Sequence, residues 1–217
     1  MARPINKRTA PKRIAIVGDG VTEKWYFQQL RASEPSLRGL LTIEPQLPKS
    51  SGFRNCIASA ESFCQDGYDE VHCLIDYDQV LYEGAQAEVT ARMQKLARRY
   101  EKSLHFYILS PCFEIWFFLH FQFSTKEFDG CQQVEKLVTT FIPEYNKSNK
   151  FWESTNVYSL LRKRLFFEAV KNAHSLERKL DELPKHAPRA DIYKLLIKLI
   201  PPTKEENEML QKLFSTS

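Results

Sequence analysis

The chain reads as an α/β protein with an open, mainly parallel sheet flanked by helices, followed by a helical C-terminal portion. Three observations predict it. Short apolar runs of strand length alternate with segments of helical period through the first half. Acid-bearing turns follow two of those runs, where ligands bind in open sheets. Beyond about Ser124 strand patterns stop and helical ones continue. At 217 residues the chain suits one domain with a helical appendage.

Ile14-Ala-Ile-Val17 is the first strand and ends at the turn Gly18-Asp19-Gly20. From Thr22 to about Ser33, Trp25, Tyr26, Gln29 and Leu30 recur at helical spacing, and Pro35 stops the helix. Leu41 to Leu47 reads as a second strand. Phe53 to Gln65 is helical, with Ile57, Ala60 and Cys64 on one stripe and Gly67 just past its end. Val71 to Ile75 is the third strand and runs into Asp76-Tyr77-Asp78. Glu83 to Tyr100 places Val89, Met93, Leu96 and Tyr100 on one helix face. Leu104 to Leu109 is the fourth strand. Ser110 as N-cap and Pro111 at the first position then open a helix that is apolar nearly all round. Gln132 to Phe141, Val157 to Ala173, Ser175 to Leu183, Asp191 to Leu199 and Glu205 to Phe214 complete the helices. The expected organisation is a basic tail over 1–12, an α/β core over 13–123, and a helical portion over 124–217 packed on it.

Composition narrows the function classes. With 43% hydrophobic and 27% charged residues, this is the balance of a soluble globular protein. The apolar run from Phe113 to Phe121 is too short to span a bilayer and is interrupted by Glu114 and His120, so no membrane partner is expected. Met1 to Arg13 is basic and polar without the apolar region of a secretory signal, and the expected location is cytoplasmic. Five widely spaced cysteines without a C-x-x-C pair read as free thiols in a reducing compartment. The net charge of +4 is unevenly spread. Arg3, Lys7, Arg8, Lys12 and Arg13 cluster at the N-terminus, and Arg162, Lys163 and Arg164 form a second basic group. Both suit nucleic-acid phosphates, and a solvated helix face carries the same pattern.

The acids after the strands carry the chemistry. Asp76 and Asp78 are separated by one residue, so in extended geometry both side chains point to one side. Carboxylates that close repel unless a cation lies between them, and Mg²⁺ takes one or two carboxylates alongside phosphate oxygens. The same residues also suit a strand-terminating turn with aspartates on backbone amides. Gly18-Asp19-Gly20 lacks the third glycine of a dinucleotide fingerprint and the Gly-Lys-Ser/Thr of a P-loop. The turn would instead project Asp19 over the sheet edge, with Glu23 in the first helical turn, where the helix dipole alone also favours a carboxylate. Glu114 and His120 differ by about 240° around a helix axis and form no compact metal pair. Glu114 points near the strand ends and could join the acids or hold a basic residue, whereas His120 reads as a core histidine.

Four segments together resemble the RloB-like proteins. They are Val17-Gly-Asp-Gly-Val-Thr-Glu-Lys-Trp-Tyr-Phe27, Leu74-Ile-Asp-Tyr-Asp78, Ser110-Pro-Cys-Phe-Glu-Ile-Trp-Phe-Phe-Leu-His-Phe121 and, more loosely, Ala187-Pro-Arg-Ala-Asp-Ile-Tyr-Lys-Leu-Leu196. The resemblance covers roughly residues 12–200 in order. It implies a TOPRIM-like fold and a Mg²⁺-dependent nuclease, with Mn²⁺ as substitute metal, in bacterial anti-phage defence of the abortive-infection type. It also implies an ATPase partner protein from the same locus. Carried across, Asp19 is the first acid and general acid/base, Asp76 and Asp78 complete the metal ligands with it, and Glu23 supports the metal or a water. The family usually has Glu where Asp19 stands, and a placement error of about 1 Å can cost roughly 100-fold in rate. That departure motivates a second reading, a non-catalytic nucleic-acid-binding or sensor subunit. Nucleotidyl transfer is a third, disfavoured by the lack of a nucleotide pocket.

Overall fold

The computed structural model describes residues 12–37, 52–184 and 186–215. The strand expected over 41–47 and the basic residues Arg3, Lys7 and Arg8 lie outside them. Four strands form one sheet in the order β1 (Ile14–Val17), β2 (Glu70–Asp76), β3 (Leu104–Ser110), β4 (Arg189–Ala190). The first three are parallel and β4 joins β3 antiparallel.

Side chains alternate across the strands and sort the core into two layers. Ala15, Val17, Val71, Cys73, Ile75 and Leu104 face helices α2 (Phe53–Gln65) and α4 (Gln86–Arg99). Ile14, Ile16, Leu74, Tyr107 and Leu109 face the other way. They meet α1 (Val21–Ser33), α5 (Glu114–Leu119) and the C-terminal helices. Every residue of α5 is buried, as its all-round apolar sequence requires, because it lies between sheet and helices. The Trp116 indole N–H donates to the Tyr26 hydroxyl at 3.0 Å, which joins α5 to α1.

The helical portion shares this core. α6 (Cys131–Phe141), α7 (Asn149–Ser154), α8 (Val157–Arg162), a π-helical turn over Leu165–Val170, α9 (Lys171–Glu177), α10 (Ile192–Leu199) and α11 (Lys204–Ser215) follow in order. Their apolar residues from Val134 to Leu210 belong to the same cluster as Ile14 and Ile16.

Several expected boundaries move. The helix expected from Glu83 is preceded by a separate short helix, α3 (Asp78–Tyr82), and Gly84, at a φ of +65°, turns the chain into α4. Ser110 ends β3 instead of capping a helix, and the Ser110–Pro111 peptide is cis. The span 157–173 divides at the π turn, and α9 stops at Glu177, so 175–183 is no separate helix. A strand does follow Ser124: two residues of β4 pair with Leu109 and Ser110, and the Asp191 carboxylate accepts from the Ile108 amide at 3.2 Å. The cysteines are not all free. Cys112 and Cys131 form a disulfide, while Cys56, Cys64 and Cys73 are free. Sequence spacing concealed that bond because the two residues meet only when α6 packs beside the β3–α5 turn.

Candidate active site

Glu23, Asp76, Asp78 and Glu114 gather at the carboxyl ends of β1 and β2. Asp76 is the last residue of β2, on the face turned to α1 and α5. Asp78 begins α3, and Tyr77 between them has φ −98° and ψ −10°, so the pair is not extended as expected. The Pro111 carbonyl accepts from the amides of Tyr77 and Asp78, both at 3.0 Å, and so fixes this turn against the end of β3.

Glu23 is buried and folds back over the turn before its own helix. Its Oε1 accepts from the amides of Asp19 and Gly20, each at 3.2 Å. Such an N3 glutamate satisfies amides that the helix start leaves open. The flanking glycines make room for it. A Cβ at Gly18 would lie 2.8 Å from Glu23 Cβ, and one at Gly20 would lie 2.7 Å from Glu23 Oε2. Asp19 Oδ1 accepts from the Gly52 amide at 2.6 Å and holds the start of α2, and its charge adds to the field on Glu23.

Glu114 is anchored by three donors. The Thr22 hydroxyl and the Tyr145 hydroxyl each reach its Oε1 at 2.9 Å, and Lys147 Nζ lies at 3.0 Å. Lys147 also pairs with Glu135 at 2.8 Å, and the disulfide sulfur of Cys131 lies 3.2 Å from Glu114 Oε2. Sequence reading missed Tyr145 and Lys147, which stand in a polar stretch with no period or motif to mark them.

The electrostatics follow from burial. Burial, then the neighbouring Glu114, raise Glu23 from 4.5 to about 7. Burial, then Glu23 and Glu114, push Asp76 well above its usual range. Burial also raises Asp78, against the opposing hydrogen bond from Gln79 and the charge of Lys147. For Lys147 burial acts downward, but Glu114 and Glu135 outweigh it and hold the ammonium above its ordinary value.

The residues present fit a hard divalent cation. Asp76 Oδ1 is buried without a hydrogen-bond partner among the described residues. A carboxylate oxygen in that position, among other acids that resist ionisation, is what a bound cation would satisfy. Asp76 and Asp78 would hold it, with Glu23 beside them.

The basic residues separate. Lys12 pairs with Glu70, and Arg13 lies over the Tyr68 ring at 4.1 Å, both at the amino ends of the strands and away from the acids. Arg162 is internal to the fold: it pairs with Glu34 at 3.0 Å and Glu206 at 2.6 Å, linking α8 to the end of α1 and to α11. Lys163 and Arg164 are exposed. His120 is a core residue, its Nδ1 2.8 Å from the Trp116 carbonyl, and burial holds its pKa at about 3.

A family model described as RloB-like protein matches residues 14–199. No curated protein and no solved structure matches the chain. Among the described residues no helix is long and apolar enough to cross a membrane.

Proposed function

The chain belongs to the RloB-like family, and from that premise we propose that it is a Mg²⁺-dependent, TOPRIM-like nuclease acting on nucleic-acid phosphodiester bonds in cytoplasmic anti-phage defence. One observation carries the reading: at the end of β2, Asp76 Oδ1 is buried without a hydrogen-bond partner among the described residues, in the field of Glu23, Glu114 and Asp78. Held by Asp76 and Asp78, Mg²⁺ or Mn²⁺ would supply charge neutralisation at the phosphate.

The chain's own groups divide the remaining work. Asp76 and Asp78 place the ion. Glu23, with a pKa of about 7, holds or releases a proton near neutrality, as a general base requires. We give Glu23 a proton-transfer role beside that expected of Asp19, whose Oδ1 accepts from the Gly52 amide. Glu114 with Thr22 and Tyr145 fixes α1, α5 and the 145–147 segment relative to one another. Lys147 brings positive charge to an otherwise acidic site. Lys163 and Arg164 are available to nucleic-acid phosphates, and an ATPase partner belongs to the same reading.

A Mn²⁺ titration of wild type beside Asp76→Asn tests the centre without any guess about substrate. Binding in the wild type and its loss in a folded Asp76→Asn protein is the expected result. Equal binding in both would remove Asp76 from the site. The engagement of Asp19 by Gly52 favours the second reading, a non-catalytic nucleic-acid-binding or sensor subunit. Anti-phage protection that survives in an Asp76→Ala/Asp78→Ala variant would select it.

A further inference from the structure

We infer that the cavity beside Asp78 is a nucleobase pocket, which seats the nucleoside next to the phosphate handled by the acidic cluster. The assignment rests on the nuclease reading above. The cavity measures about 190 Å³ and lies between α3, the Ser110–Pro111 turn, the segment 128–130 and His186. That is room for one flat ring system and too little for a drug-sized ligand, which takes about 300–1,000 Å³.

Position is the first argument. Asp78 lines the cavity and also belongs to the acidic site, so an occupant sits directly beside the proposed metal. A second cavity, extending to Gln133 and Lys136 of α6, shares Asp78, Asp129 and Gly130 with the first. The two cavities therefore adjoin at Asp78 and Asp129, next to the acidic site.

Chemistry is the second argument. Leu81, Pro111 and Phe128 offer apolar surface, while the exposed Asp129 and His186 and the buried Ser110 offer polar atoms. A nucleobase has this division, with apolar faces and polar edges, and bases stack readily on aromatic rings. Tyr82 supplies the ring. Its exposure is 93%, so the core does not use it, and it ends the helix that Asp78 begins. An exposed aromatic alone needs no explanation. One on the wall of a polar-rimmed cavity at a proposed phosphodiester site does. The carboxylate of Asp129 can accept from an N–H on the edge of a base, and the larger ring of a purine stacks more extensively than uracil, which favours adenine over uracil.

The test is calorimetric titration with 5′-AMP and 5′-UMP, with Mn²⁺ and with EDTA, on wild type, Tyr82→Ala, Tyr82→Phe and His186→Ala. Mn²⁺ uptake is followed separately by its spin-resonance signal. Tyr82 and His186 lie outside the core, so the variants should fold, as circular dichroism would verify. AMP should bind wild type and Tyr82→Phe alike, about tenfold more weakly to Tyr82→Ala as expected for one lost stack, and more tightly than UMP. Equal AMP affinity in wild type, Tyr82→Ala and His186→Ala overturns the pocket, as does absence of AMP binding with and without metal. AMP binding that depends on Tyr82 without any Mn²⁺ uptake would keep the pocket and remove the metal-dependent reading instead.

Discussion

Glu23 carries two demands at once. Its Oε1 caps the start of α1 through the amides of Asp19 and Gly20, and its burial keeps a carboxylate out of water beside Glu114. The first stabilises the fold and the second opposes it whenever Glu23 is ionised. Its folded pKa of about 7 lies above the ordinary 4.5, so the folded chain holds a proton that the unfolded chain has released between those values. The stability from that proton is complete below about pH 4.5 and lost as pH rises through about 7. Glu23→Gln keeps an acceptor for both amides and cannot ionise. It should match wild type at about pH 4 and exceed it at about pH 8, by up to about 3 kcal/mol. Urea unfolding of the two proteins at both pH values measures this, and a constant difference across pH would show that Glu23 does not titrate in the folded state. Gain in stability from loss of a site residue is the usual exchange between stability and function.

At the scale of elements, the site depends on how the β3–α5 turn and the first turn of α6 are joined. Pro111 holds the Asp78 amide, Cys112 follows it, and the disulfide to Cys131 ties both to α6, whose Glu135 reaches Lys147. The bond closes a loop of 19 residues, for which restriction of the unfolded chain contributes about 3 kcal/mol. Cys131→Ser should therefore lower the melting temperature by roughly 10 °C for a chain of this size. Reductant should lower wild type by a similar amount and leave the variant unmoved. Equal melting of oxidised wild type and variant would mean the bond constrains nothing. Neither this bond nor β4 was legible in the sequence, and both failures have one cause: the partners lie far apart in the chain and no local period marks them. β1, β2, β3 and α2 were legible because buried parallel strands are near-continuous apolar runs and α2 has a clear stripe. Asp76, Asp78 and Glu23 were legible from their place after those strands. Lys147 was not, because a lysine in a polar loop looks solvated until Glu114 is seen beside it. Arg162 failed the opposite way, as a basic run hid one member that points inward to Glu34 and Glu206.

The whole molecule has a polarity set by its parallel strands. Glu23, Asp76 and Asp78 stand at their carboxyl ends, whereas Lys12, Glu70 and Lys198 form an ion-pair group at their amino ends. Substrate contacts at the acids must then come from segments that reach the carboxyl side, and most of these belong to the helical portion: Tyr145, Lys147, Lys136 and His186. The residues of that portion share one apolar cluster with β1 and α1, and β4 completes the sheet. A shared cluster predicts one cooperative unit. Trp116 and Trp152 are buried on opposite sides of the expected boundary near residue 124, so indole fluorescence samples both regions, while far-ultraviolet circular dichroism reports helices throughout. Urea transitions followed by the two signals should coincide at one midpoint and one slope. Two separated midpoints would divide the chain into independent units, and the Glu114–Lys147 pair would then be a contact between units that one of them could lose before unfolding.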